Sequence, residues 1–377
     1  MNPDTNQIFV PFSDHLARHH HRHQPPPQTT SYTQTNLVSD GSVPAATISD
    51  NLINPWGISH SPTGPFWISA NGTGLAVVYD GAGNLVPIAG HDAITIAAPQ
   101  GVDTSAPTGQ VFNSAGSGFD VSANGVTGSS VFLFATEDGT ISGWSPTVDS
   151  GNSIIAVDNS QGANPAVYKG LAIGITDQGT FLYAADFANN SVDVFDSQFN
   201  KVNSFTDPNL PSGYAPFNVQ VLDGKLYVTF AQQNAAKHDD VAGPGHGFVD
   251  TFDLNGNMLD RVATQGVLNS PWGLDIAPNG FGQFAGDLLV GNFGDGTIDA
   301  FDPHTDKFMG QLLGGDGIPL QIQDLWALTN GTGASGTDSN AVYFTAGGQD
   351  EMHGLFGSLS AVIDQAPSVS SMAGTHS

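Results

Sequence analysis

From about residue 31 to residue 364 the chain is a succession of short apolar runs, alternating with polar positions and bounded by Gly, Asn or Asp. Alternation between turn residues predicts strands. Six units follow one another. Each opens with an inner strand, around Trp56–Ser59, Phe119–Ser122, Gly170–Gly174, Asn218–Val221, Trp272–Ile276 and Leu325–Leu328. A turn cluster follows, then a strongly apolar run such as Phe66-Trp67-Ile68 or Leu288-Leu289-Val290, as expected of a strand buried on both faces. A third strand ends each unit near an aromatic: Tyr79, Trp144, Phe195, Phe252, Phe301 and Phe356. Repeats of this period predict an all-β, six-bladed β-propeller of four-stranded blades.

Two further patterns refine the picture. Four third strands run into an Asp followed four residues later by Asn or Asp: Asp80/Asn84, Asp196/Asn200, Asp253/Asn257 and Asp302/Asp306. The first Asp suits an Asx-turn, and the second suits a left-handed position before the fourth strand. The alternating run Tyr32–Val38 has no blade of its own, and the sixth unit ends soon after Val362. The N-terminal strand is therefore expected to complete the last blade and remove both exposed edges. Residues 1–30, with the His- and Pro-rich stretch His15–Pro27, read as a disordered arm, and 365–377 as a disordered tail.

Composition narrows the partners. The chain has 35 acidic and 8 basic residues, a formal charge of -27. That field repels nucleic acid and anionic membranes. Only Glu137 and Glu351 are glutamates, so the acid is nearly all Asp, a turn residue. The chain has no Cys, which excludes disulfides, thiolate metal sites and a Cys nucleophile. No apolar run is long enough to span a bilayer, and no ordinary signal peptide is visible. The acidity points to an extracellular or periplasmic location, and the expected protein is a monomer with a small-molecule, carbohydrate or peptide ligand.

The segment Phe181-Leu182-Tyr183-Ala184-Ala185-Asp186 with Asn189–Asp196 resembles the NHL-type propeller repeat. The six-unit count resembles the gluconolactonase/senescence-marker propellers. The double Asn/Ser-Pro-Trp-Gly motif, Asn54–Gly57 and Ser270–Gly273, resembles a bacterial and fungal family of conserved hypothetical proteins over about Tyr32 to Val362. These motifs specify blades, not chemistry.

In a propeller the inner-strand starts and the loops between second and third strands meet at one mouth of the central channel. The strand starts offer Asn54, Asp120, Lys169, Asn218, Asn269 and Asp324. Asn54, Asn218, Asn269 and Asp324 form an oxygen-rich set suited to Ca²⁺. The gluconolactonase resemblance implies a metal in the same place, although that family supplies a Glu where this chain has Asn54-Pro55. The loops offer Asn71, Glu137, Asp138, Asp186, Asn189, Asn292, Asp295, Asp350, Glu351 and His353, and the long insertion Ala231–Gly247 adds His238, Asp239 and His246. That insertion is expected to be a mobile flap. Candidate catalytic groups are Asp120, Lys169, His246 and His353. No nucleophile, P-loop or dinucleotide motif is present. The expectation is a binding or scaffold propeller with a polar, calcium-compatible mouth. The alternative is a metal-dependent hydrolase or lyase acting on a small lactone, ester or sugar-like molecule.

Overall fold

A computed structural model describes residues 30–363, and the arm and tail expected outside 31–364 lie beyond them apart from Thr30. Six antiparallel blades form a β-propeller, with no α-helix among the described residues. The blades are Pro55–Thr95, Pro107–Asp158, Tyr168–Phe205, Tyr214–Thr264, Pro271–Gln311 and Leu325–Ile363, each built from consecutive strands save for the seam and one inserted hairpin. The second strands are buried on both faces, as Phe66–Ala70, Phe132–Thr136, Leu288–Asn292 and Val342–Ala346 show. The ring closes as expected: Thr30–Ser39 pairs antiparallel with Leu355–Ile363 and supplies the outer strand of the last blade. A short strand, Thr47–Ile48, then pairs parallel to it.

The second blade departs from expectation. Its inner strand is Pro107–Phe112, not Phe119–Ser122. Asp120–Ala123 instead pairs with Val126–Ser129 as a separate hairpin between the inner and second strands. The Asn124-Gly125 turn signal was a true hairpin signal, with both residues at positive φ, but of an insertion. The connection between inner and second strands lies on the face opposite the mouth. Asp120, exposed on this hairpin, is therefore removed from the mouth, which corrects its candidacy as a catalytic residue there.

The Asx-turns form. Asp80 Oδ1 accepts from the Ala82 and Asn84 amides, and Asn84 Nδ2 donates back to Oδ2. Asp196 and Asp253 repeat this geometry. The left-handed residue is the one before the Asn, at Gly83, Phe199 and Gly256, and only in the longer fourth turn is it Asp306 itself.

One device recurs in all six blades. The ladder between inner and second strands breaks register near the inner strand's start, after its first paired residue in five blades and after its third, Pro216, in the fourth. The bulged residues are Trp56, Thr108, Lys169, Phe217, Trp272 and Trp326. A bulge re-aims one side chain, and here it turns these six towards the axis. Rings meet there across the ring and between neighbours: Trp56 lies against Trp272 at 6.2 Å and Phe217 against Trp326 at 5.9 Å, both from non-adjacent blades, and Trp56 stacks on Trp326 of the adjoining last blade at 3.4 Å. The channel is thus plugged by tryptophan. The next residue is small in five blades, Gly57, Gly109, Gly170, Gly273 and Ala327, because neighbouring inner strands touch. A Cβ on Gly273 would sit 2.7 Å from the Trp326 carbonyl oxygen. Among the described residues no helix is long and apolar enough to cross a membrane.

Candidate functional site

Lys169 is the one charged member of the bulged layer, and it is 2% exposed. Its ammonium lies 5.1 Å from the Trp56 ring centre and 5.9 Å from that of Phe187. Burying an ammonium requires compensation. Two carboxylates supply it: Glu137, from the mouth loop of the second blade, pairs with Nζ closely, and Asp239, from the long loop of the fourth, lies 3.6 Å away.

From this pair a polar chain runs around the rim. Asn71 Nδ2 donates to Glu137 Oε2 at 2.9 Å. Asn54 Nδ2 reaches Asn71 Oδ1 at 3.4 Å and Glu351 Oε2 at 2.7 Å, while Asn54 Oδ1 accepts from Trp326 Nε1 at 3.0 Å. Lys169, Glu137, Asn71, Asn54 and Glu351 thereby link blades three, two, one and six. Both glutamates of the chain belong to this chain of contacts. Burial pushes the Glu351 carboxyl up to about 7, with the Glu137 charge adding to it and the Asn54 hydrogen bond and Lys169 opposing it. Burial also raises Asp240, whose Oδ2 is enclosed without a hydrogen-bond partner among the described residues.

Glu351 is held by unusual backbone. Gly348, Gln349, Asp350 and Glu351 all take positive φ, at 64°, 49°, 57° and 64°. Each non-glycine residue there costs on the order of 1–3 kcal/mol, and such strain persists only when surroundings impose it. Asp324 imposes it: its Oδ2 accepts the Glu351 amide at 3.1 Å, and its carbonyl accepts the Gly347 amide at 2.9 Å.

The four oxygens expected to form a calcium ring have separate attachments. Asn54, Ser270 and Asp324 occupy equivalent left-handed positions just before the bulge. Asn269 is one residue earlier, with Oδ1 on the Gly243 amide and Nδ2 on Asp295. Asn218 is one layer below the rim, equivalent to Gly57, and its Nδ2 donates to the Trp272 carbonyl. Its Oδ1 is buried without a hydrogen-bond partner among the described residues. The remaining catalytic candidates also separate. His246 Nδ1 contacts the Val241 carbonyl oxygen of its own loop, and His353 Nδ1 contacts Asp40 Oδ2 in the N-terminal segment, both at 2.7 Å.

The long loop is tied down rather than hanging free. The Val241 amide donates to the Gln232 carbonyl across its base, the Gly243 amide donates to Asn269 Oδ1, and Gly245 donates to the Leu268 carbonyl. These attachments, with the Lys169 contact, fix Asp239 over the mouth. His238 Nδ1 lies 2.7 Å from Asp239 Oδ1. One ligand atom each from Glu137, His238 and Asp239 falls within 4.8 Å of the others.

No protein-family model matches the chain. Among solved structures, the soluble aldose sugar dehydrogenase of Escherichia coli aligns with 88% of this chain and 99% of its own at a TM-score of 0.52. Identity there is 12%, so the likeness is one of fold. The uncharacterised protein R648 of Acanthamoeba polyphaga mimivirus is 33% identical over 338 residues, spanning 88% of this chain and 80% of its own. The uncharacterised protein L690 of the same virus is 34% identical over 332 residues, covering 86% and 84%. These relatives are viral, where the sequence motifs had pointed to bacterial and fungal proteins. The chain belongs to the family of the mimivirus proteins L690 and R648.

Proposed function

We propose that the chain is a ligand-binding propeller whose channel mouth takes a divalent cation between Glu137, His238 and Asp239. The convergence of these three groups from two blades within 4.8 Å carries the reading. One imidazole and two carboxylates suit zinc, manganese or iron, whereas calcium prefers oxygen throughout. Calcium at Asn54, Asn218, Asn269 and Asp324 is the rival placement. Lys169 already approaches both Glu137 and Asp239, so an incoming cation and the ammonium compete for the same oxygens.

The competition makes the test specific. In the full chain, manganese or zinc should raise the melting temperature with concentration, as a ligand of the native state does. Asp239→Asn should remove most of that rise, and Lys169→Met should enlarge it. A rise that survives Asp239→Asn unchanged would place the metal elsewhere, the His15–His23 stretch included, and end this reading. A calcium response lost in Asp324→Ala alone would favour the rival quartet.

A second reading, a metal-assisted hydrolase or lyase for a small lactone, ester or sugar-like molecule, draws on Glu351. A carboxyl near 7 both gives and takes a proton at neutral pH. A bound cation would polarise the substrate carbonyl, and the gluconolactonase resemblance points the same way. Lactone hydrolysis lost in Glu351→Gln with metal binding intact would support the enzyme. Binding without turnover of lactones or esters would leave the binding reading alone.

A further inference from the structure

The N-terminal strand leaves the last blade at Ser39 and rejoins it as Thr47–Ile48. Between them Asp40–Pro44 turns beside the mouth loop of that blade. A cleft of about 190 Å³ separates this turn from Ala346–Gln349, where the strained segment begins, and from Gln321–Gln323. Ligand pockets for drug-sized molecules start at about 300 Å³, so this one has room for a single small ring.

Its polar lining is mostly carboxamide. Gln34, Asn36, Gln321, Gln323, Gln349 and His353 face it, and among the described residues no carboxylate lines it. A carboxamide carries donors and an acceptor together, as a ligand hydroxyl also requires. Gln34 is joined to Asn36 at 2.8 Å, whereas Gln321, Gln323 and Gln349 make no hydrogen bond among the described residues.

His353 is oriented for the same task. Asp40 can only accept, so His353 Nδ1 donates to its Oδ2 at 2.7 Å. Asp40 Oδ1 is filled by the Ser42 amide and hydroxyl at 3.1 and 2.6 Å. Partial burial pushes the Asp40 carboxyl up, but the hydrogen bonds from Ser42 and His353 outweigh it and hold the group below its usual range. The dyad fixes the tautomer and leaves Nε2 as the hydrogen-bond acceptor for a ligand. Ser42 lies on the carboxylate and not on the imidazole, so it is not a nucleophile of this site.

We infer that this cleft is a second ligand site, separate from the channel mouth. Its ligand is a neutral, hydroxylated ring the size of one sugar unit, with a hydroxyl donating to His353 Nε2 and the carboxamides holding the others. The charge of -27 disfavours an anion.

The site can be read without knowing the natural ligand. The full chain labelled with ¹³C-histidine gives one Cε1–H signal per imidazole, and His353→Gln identifies that of His353. D-glucose or N-acetyl-D-glucosamine in the millimolar range should shift this signal saturably, and D-glucuronate should shift it much less. Val43→Trp, which fills the cleft without touching the dyad, should abolish the shift. Asp239→Asn should leave it unchanged, which separates this site from the cation site at the mouth. Absence of any saturable shift with either neutral sugar overturns the proposal. A shift that persists in Val43→Trp, or that glucuronate produces equally, overturns it as well.

Discussion

Tyr32→Ala is expected to destabilise the propeller by about 3–5 kcal/mol, the range for truncating a buried aromatic. The residue sits in the closing strand, 2% exposed, and belongs to the core between the fifth and sixth blades. Its ring lies 4.8 Å from Phe281 and 6.0 Å from Phe284, and its hydroxyl donates to the Phe281 carbonyl at 3.0 Å. Its amide reaches the Leu313 carbonyl at 2.8 Å, so the strand is held to the fifth blade as well as to its own. Removing residues 1–39 should do more harm. It strips the partner from Leu355–Ile363 and opens a long sheet edge, which invites aggregation. Denaturant midpoints of the point variant and the yield of soluble truncated chain check both statements. A loss under about 1 kcal/mol for Tyr32→Ala, or a truncated chain melting with the wild type, would show that the ring does not depend on its seam.

The seam was legible because Tyr32–Val38 alternates with no partner nearby in sequence, and an unpaired edge is costly in any sheet. The second blade was misread for a reason visible in the structure. At the bulged position the other blades carry Trp56, Lys169, Phe217, Trp272 and Trp326, large residues that announce a strand start. The second carries Thr108, whose hydroxyl donates to the Tyr168 carbonyl at 2.7 Å, because the tryptophans already fill the axis. Without its aromatic, Ala106-Pro107 no longer resembled Asn54-Pro55 and Ser270-Pro271, and the Phe119–Ser129 hairpin looked more like a blade.

At the mouth, residue types were legible and partnerships were not. Lys169, Asn54 and Asp324 do stand at strand starts. Which oxygens remain for a ligand depends on neighbours far away in sequence, such as Trp326 on Asn54 and the Glu351 amide on Asp324. A one-residue bulge also shifted the layers, so Asn218 falls beneath the rim and Asn269 beside it. The scarcity of glutamate was the usable signal. In a chain that meets its turn chemistry with Asp, Glu137 and Glu351 are departures from its habit, and both lie in the polar chain around Lys169. Asp40 carried no such mark, because its role arises only when the first strand joins the last blade.

Arg261→Met should be the most damaging exchange of a surface-reaching residue, and its cost should depend on pH. Arg261 faces Asp250 across the third and fourth strands of the fourth blade. Its Nε donates to Asp250 Oδ1 at 2.7 Å, its Nη2 pairs closely with Asp207 in the linker from the third blade, and its guanidinium lies over Phe248. Both aspartate side chains are fully buried. Removing one partner of a buried ion pair costs about 3–5 kcal/mol, because charge is left without compensation. Burial raises the Asp250 carboxyl from 3.8 to about 6 even with the arginine present, Arg261 pulling it down and Asp207 pushing it up. A folded-state value above the unfolded one gives stability that is full below 3.8 and lost as pH rises through about 6. Without Arg261 the folded value climbs further and the loss at alkaline pH deepens. Urea midpoints should therefore show the full cost near pH 8 and a much smaller one near pH 4.5, with Arg261→Met/Asp250→Asn recovering part of the loss at pH 8. An equal loss at both pH values would assign the effect to the packing of the guanidinium over Phe248 and sink the electrostatic account.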